Sequence, residues 1–271
     1  MSKARELANL MGTPTVGNIL LNSTAGDALD GTGTCNIAAG LNALGAATSG
    51  DDNIALGRLA LGAGTLTGGV NIAIGATSSD ALTSGACNIA IGLNSLTAAT
   101  DNCDNIAIGK AALAASVNDA DNNIAIGTTA LGGADVSGAY NIAIGINAAD
   151  ATTTGACNIA IGENAYGTAV AGANNIAMGK LAMGGALVTG ADNFAVGQNT
   201  MDALTSGACN IALGVDAYGA ATTGCNNVAI GETAMGGTAV SGTDNIAIGQ
   251  NTLDSLTSGG HNIMLGLNTG G

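Results

Sequence analysis

The residues best equipped for chemistry are six cysteines, and their placement is regular. Cys35, Cys87, Cys157 and Cys209 stand directly before an Asn-Ile-Ala triplet, whereas Cys103 and Cys225 stand two residues before the equivalent asparagine. Thiols bind soft metals, exchange disulfides, or attack carbonyls when a neighbouring imidazole activates them. There is no Cys-x-x-Cys, and the only histidine, His261, takes a slot that cysteine fills elsewhere, so no zinc set or Cys-His nucleophile assembles. The repeat sets Cys87 beside Cys103 and Cys209 beside Cys225 on successive copies. Two readings stay open for these four: disulfides, or small thiols stacked in a buried turn corner.

Other chemistries find less support. Glu163 and Glu232 lie four copies apart, too far for the paired carboxylates of glycoside hydrolysis. The turn acids Asp51, Asp52, Asp101, Asp104, Asp119 and Asp121 lack the Gly-Gly-x-Gly-x-Asp pattern of calcium-binding rolls and read as solvated turns. Thr129, Thr200, Thr233 and Thr252 form no sustained Thr-x-Thr row, which leaves ice binding a minor alternative. The expectation is therefore a protein that is not an enzyme, with no catalytic residues, no metal ligands and no cofactor.

These residues are carried by a repeat. Its marker is an asparagine at 36, 53, 71, 88, 105, 123, 141, 158, 175, 193, 210, 227, 245 and 262, each step being 17 or 18 residues. Asn18 opens a degenerate earlier copy. Three kinds of copy alternate to give a 52-residue superperiod, and one extra copy beginning at Asn123 interrupts the register. Such self-similarity is the signature of a solenoid, in which each rung packs only on its neighbours.

In Asn-Ile-Ala-Ile-Gly the two aliphatics are two apart, so a strand turns both to one face. The central residue is Ala in 13 of 14 copies and Met264 in the last. That constancy predicts a close-packed second face, covered by another subunit. The following glycine permits a bend. Small residues such as Ala43, Ala112, Ala165, Ala217 and Ala234, then larger ones such as Leu44, Leu113, Tyr166, Met183, Met235 and Leu253, predict a second short strand. Turns of the Thr-Ser-Gly type close each copy. Stacked at about 4.8 Å, the fourteen asparagines predict a side-chain amide ladder. The fold expected is all-β: a parallel β-solenoid, or β-roll, over residues 18–271. About fifteen rungs would give a rod on the order of 70 Å long.

Composition agrees with this architecture and narrows the partners. The chain has 45 glycines, one proline, four aromatic residues and 9% charged residues, so its core must be built from Ala, Ile, Leu, Val and Met. A formal charge of −14 disfavours nucleic acid and anionic membranes. No apolar run suits membrane insertion, and the first residues lack the hydrophobic stretch of a signal peptide. Residues 1–17 read as a separate docking or capping segment. In it Ser2 caps a short helix with Ala4, Leu7, Ala8 and Met11 on one face, ended by Pro14.

The Asn-[Ile/Val]-Ala-[Ile/Val/Leu]-Gly motif and the small-residue segment after it, over residues 36–271, resemble the head repeats of trimeric autotransporter adhesins and the related repeat arrays of bacteriophage fibre proteins. The resemblance implies a homotrimeric parallel β-roll on a virion or extracellular surface, engaging a cell-surface receptor. The rungs are longer than in the adhesins, and neither a coiled-coil stalk nor a membrane anchor is recognisable in the sequence. The favoured expectation is thus a virion fibre or spike, docked through residues 1–17. A bacterial adhesin head comes second, and an ice-binding or filament-forming solenoid third.

Overall fold

The computed structural model describes residues 17–29 and 32–270. It is all-β, a parallel β-solenoid of about fourteen turns with no helix among the described residues. The expected helix near Ser2 and Pro14 lies outside them, as does nearly all of the docking segment. The chain divides into two compact units, one up to Ser137 and one from Gly138.

In the first unit the strands are β1 (Ile19–Leu20), β2 (Ile37–Ala39), β3 (Ile54–Leu56), β4 (Ile72–Ile74), β5 (Ile89–Ile91), β6 (Ile106–Ile108) and β7 (Ile124–Ile126). In the second they are β8 (Ile142–Ile144), β9 (Ile159–Ile161), β10 (Ile176–Met178), β11 (Phe194–Val196), β12 (Ile211–Leu213), β13 (Val228–Ile230), β14 (Ile246–Ile248) and β15 (Ile263–Leu265). Within each unit successive strands pair in parallel and in exact motif register, Ile159 with Ile176 and Ala160 with Ala177 for example. Equal residues stack because every rung has the same length to within one residue, which the loops absorb.

The faces of the strand are the reverse of the sequence expectation. Each motif alanine from Ala38 to Ala247 is fully buried, while the aliphatics on either side are half-buried or exposed. Ala thus points into the solenoid rather than toward a neighbouring subunit, and the larger Ile, Leu, Val, Met and Phe side chains point out. The interior is filled by larger side chains from the rest of each rung, among them Leu66, Leu82, Leu204, Met183, Tyr166 and Tyr218, all fully buried, and the strand contributes only methyl groups to it.

The second strand does not form either. After the motif the backbone alternates right- and left-handed residues, with Asn164 at φ 54° and Tyr166 at φ 54°, Leu181 at 57° and Met183 at 51°. Local turns close it, Ala165 N–H to Gly162 O at 3.3 Å and Gly167 N–H to Asn164 O at 3.2 Å. In a strand, Ala165 and Tyr166 would face opposite sides. The alternation places both inside.

The motif glycine is required twice over. From Gly40 to Gly249 its φ lies between +131° and +141°. A Cβ on Gly162 would also sit 2.6 Å from the carbonyl oxygen of Gly179 on the next rung. Only glycine combines that backbone angle with that approach.

Candidate functional site

Each unit carries a column of asparagines immediately before its strands. Asn36 through Asn245 are buried, and Asn262 is half-buried. A stack of buried amides must find partners for every N–H and C=O group. Within each unit the Oδ1 of one asparagine accepts the backbone N–H of the next: Asn36 to Asn53 at 2.8 Å, Asn175 to Asn193 at 3.0 Å. Many of the Nδ2 groups donate across the turn, as Asn158 does to Gly172 O at 2.8 Å and Asn210 to Gly224 O at 2.8 Å. Amide-to-amide bonds are present as well, such as Asn193 Nδ2 to Asn175 Oδ1 at 3.0 Å and Asn71 Nδ2 to Asn53 Oδ1 at 3.1 Å. The asparagine is therefore a clip between side chain and main chain as much as a ladder of amides. Asn18, Asn88, Asn105, Asn123, Asn141 and Asn227 belong to the same two columns.

Two buried tyrosines join this network. Tyr166 OH accepts from Asn175 Nδ2 at 2.9 Å and Tyr218 OH from Asn227 Nδ2 at 2.6 Å. Burial raises the pKa of both phenols well beyond the usual tyrosine range, the asparagine bond opposing it weakly.

Sequence reasoning missed a second, outward-facing polar column, six residues after the clip asparagine. Asn147 Nδ2 donates to Asn164 Oδ1 at 3.1 Å, Asn199 Nδ2 to Asp216 Oδ1 at 3.0 Å, and Asn251 Nδ2 to Asn268 Oδ1 at 2.9 Å. The column sits at positive φ, which Asn and Asp tolerate better than most residues. Its sequence signal was the recurrence of Asn, Asp or Thr at that slot. An open groove of about 430 Å³ runs beside it, lined by Asn199, Asp202, Asp216, Gly219, Thr233 and Gly236. The groove exists because the slot holding Asp202 holds glycine on the next two rungs. Burial raises the pKa of Asp202 and of Asp80, the equivalent residue in the first unit, above the ordinary carboxylate value.

The four threonines weighed for ice binding do not share a surface. Thr200 and Thr252 are buried and donate to Gly214 O at 2.7 Å and Gly266 O at 2.6 Å, while Thr129 and Thr233 stand in the outward column. The cysteines are free thiols. Cys35, Cys87, Cys157 and Cys209 are exposed, and Cys103 and Cys225 are half-buried, so none fills a buried corner. His261 Nε2 lies 3.8 Å from Asp244 Oδ2 at the surface, and Glu163 pairs with Lys180 at 3.2 Å. Among the described residues no three of His, Cys, Asp or Glu are grouped to hold a metal, and no helix is long and apolar enough to cross a membrane.

The remaining surface feature is the outer face of the strands. In the second unit it runs Ile142, Ile159, Ile176, Phe194, Ile211, Val228, Ile246 and Ile263 in one column. The column two residues on is Ile144, Ile161, Met178, Val196, Leu213, Ile230, Ile248 and Leu265. Not one position is polar. Eight strands at about 4.8 Å make this strip roughly 38 Å long.

These features define the class: a parallel β-solenoid clipped by asparagine, with an aliphatic outer sheet. Compared with known protein families, characterised proteins and solved structures, the chain matches none.

Proposed function

We propose that the protein is a structural component of a fibre or spike on a virion or similar extracellular appendage, working as a homotrimer whose subunits meet through the aliphatic strand face. The observation that carries the reading is the strip itself. A chain with 19 acidic and 5 basic residues keeps every charge off these columns, although their side chains are half-buried or exposed. Exposed apolar surface of this length marks an interaction site. A repeating ridge with the pitch of a β-stack is matched best by an identical ridge, which a second and third copy supply. The repeat's resemblance to trimeric adhesin heads and phage fibres supports both the trimer and attachment to a host surface.

The test is sedimentation at micromolar concentration of the wild type and of a variant with Ile144→Glu, Phe194→Glu and Ile211→Glu. The expected result is a wild-type trimer and a variant monomer with an unchanged β-type circular dichroism spectrum. A wild-type monomer would overturn the assembly. A trimer that binds bacterial cells without any virion partner would move the assignment to a surface adhesin head.

A further inference from the structure

The cysteines repeat with an offset of 122 residues: Cys35 and Cys157, Cys87 and Cys209, Cys103 and Cys225. Each unit thus holds one solitary thiol and one pair on successive rungs. In the first unit, Ala86 N–H donates to Cys103 Sγ at 3.4 Å. In the second, Ala208 N–H donates to Cys225 Sγ at 3.4 Å. The second sulfur of each pair therefore leans back over the rung that carries the first cysteine, at the residue next to it. The two rungs are fixed in register at this point by Asp104 N–H to Ala86 O at 3.0 Å and Asn226 N–H to Ala208 O at 3.0 Å. Cys87 and Cys103 are diagonal neighbours: a rung spacing of about 4.8 Å and a rise of at most about 3.3 Å, the extended limit, keep their Cα atoms within roughly 6 Å. Disulfides span Cα separations of about 4.4–6.8 Å.

We infer that Cys87 with Cys103, and Cys209 with Cys225, are inter-rung thiol pairs that close into disulfides when the folded protein meets a low-molecular-weight disulfide. Cys87 and Cys209 are exposed and attack first, while Cys103 and Cys225 are half-buried and resolve. The Cys87 thiolate attacks one sulfur of the reagent, forming a mixed disulfide and releasing one thiol. The Cys103 thiolate then attacks the Cys87 sulfur, forming the protein disulfide and releasing the second thiol. Two protein thiols are oxidised and one reagent disulfide is reduced to two thiols. Closure takes Cys103 out of its contact to Asp101 O at 3.3 Å. Cys35 and Cys157 lack a partner, because the diagonal slot on the next rung holds Asp51 and Ala173. Each disulfide would fasten two rungs together, once per unit. This inference stands apart from the fibre reading.

The test treats the folded full chain with oxidised glutathione and maps cysteine-containing peptides by mass spectrometry. Links 87–103 and 209–225 are expected, with Cys35 and Cys157 still alkylatable or carrying glutathione. In Cys103→Ser, Cys87 should instead retain glutathione as a stable mixed disulfide, while the 209–225 link still forms. Glutathione retained on Cys87 and Cys209 in the wild type, or links that draw in Cys35 and Cys157 equally, would overturn the inference. So would four thiols that stay fully alkylatable.

Discussion

Tyr166 and Asn175 meet inside the second unit, the phenol oxygen accepting a 2.9 Å hydrogen bond from the asparagine Nδ2. The same Nδ2 donates to Gly190 O at 2.9 Å, and Asn175 Oδ1 accepts from Asn193 N–H at 3.0 Å. One amide therefore spends both donors and its acceptor on three residues, Tyr166, Gly190 and Asn193. Fifty-two residues later Tyr218 and Asn227 repeat the arrangement.

Replacing Asn175 by Asp should be more damaging than replacing Tyr166 by Phe. The phenylalanine leaves one amide hydrogen without a partner, a cost of about 1–3 kcal/mol. The aspartate removes both donors and sets a carboxylate against the Gly190 carbonyl in a buried site, which raises its folded-state pKa. A raised carboxylate pKa means stability is lost as pH rises through that value. The Asn175→Asp protein should thus regain melting temperature on acidification from pH 7, where its protonated carboxyl can donate again. A melting temperature insensitive to pH relative to wild type would contradict the clip.

Ala160→Asp should be far more destabilising than Thr153→Ala. Ala160 is fully buried in β9, and a carboxylate there has neither partner nor room, costing several kcal/mol. Thr153 is half-buried at a turn, where its hydroxyl donates to Val170 O at 3.2 Å, and its replacement by Ala leaves no charge in the interior. Thermal melts of the two variants decide it, and equal melting temperatures would place Ala160 at the surface.

Asp202 and Asp80 make neutral pH less favourable than mild acid for local stability. Burial raises both folded-state pKa values, against weaker opposing hydrogen bonds from Gly185 to Asp202 and from Ala63 and Gly62 to Asp80. Between the ordinary carboxylate value and the raised one, the folded state holds more protons than the unfolded state, so stability falls as pH rises through this window. Asp202→Asn should therefore raise the melting temperature at pH 7 and narrow its difference from the value at pH 4. A lowered melting temperature at pH 7 would show that the charged carboxylate is preferred.

Deleting residues 158–209 should leave a folded second unit. The deletion removes β9, β10 and β11, one 52-residue superperiod, and joins Cys157 to Asn210, so each remaining interface is one already present. Deleting only 158–166 removes a clip, a strand and a buried tyrosine while leaving their loop, which shifts register. Circular dichroism and limited proteolysis should show a resistant core in the first protein and none in the second.

Much of this was legible along the chain. The asparagine spacing of 17 and 18 residues names the rung, and the parallel stack follows because a rung that short cannot bury its apolar side chains alone. The clip column was legible as well, since asparagine is the one polar residue that recurs at the same slot in every copy. The outward column of Asn147, Asn164 and Asn199 was harder to see, because Leu59, Ala111 and Leu181 interrupt it. What unites its members is a left-handed backbone, which a list of residue types does not display.

The sequence by itself determined the repeat, the parallel all-β solenoid, and the place of the asparagines within it, because rung length and hydrogen-bond satisfaction are local demands. Only the tertiary structure decided which side of the strand is inside. Period-two alternation separates Ala160 from Ile159 and Ile161 but assigns neither to the core. That choice depends on how much of the interior the rest of the rung fills, and here Tyr166, Met183 and Leu204 are fully buried in it alongside the alanine methyl groups.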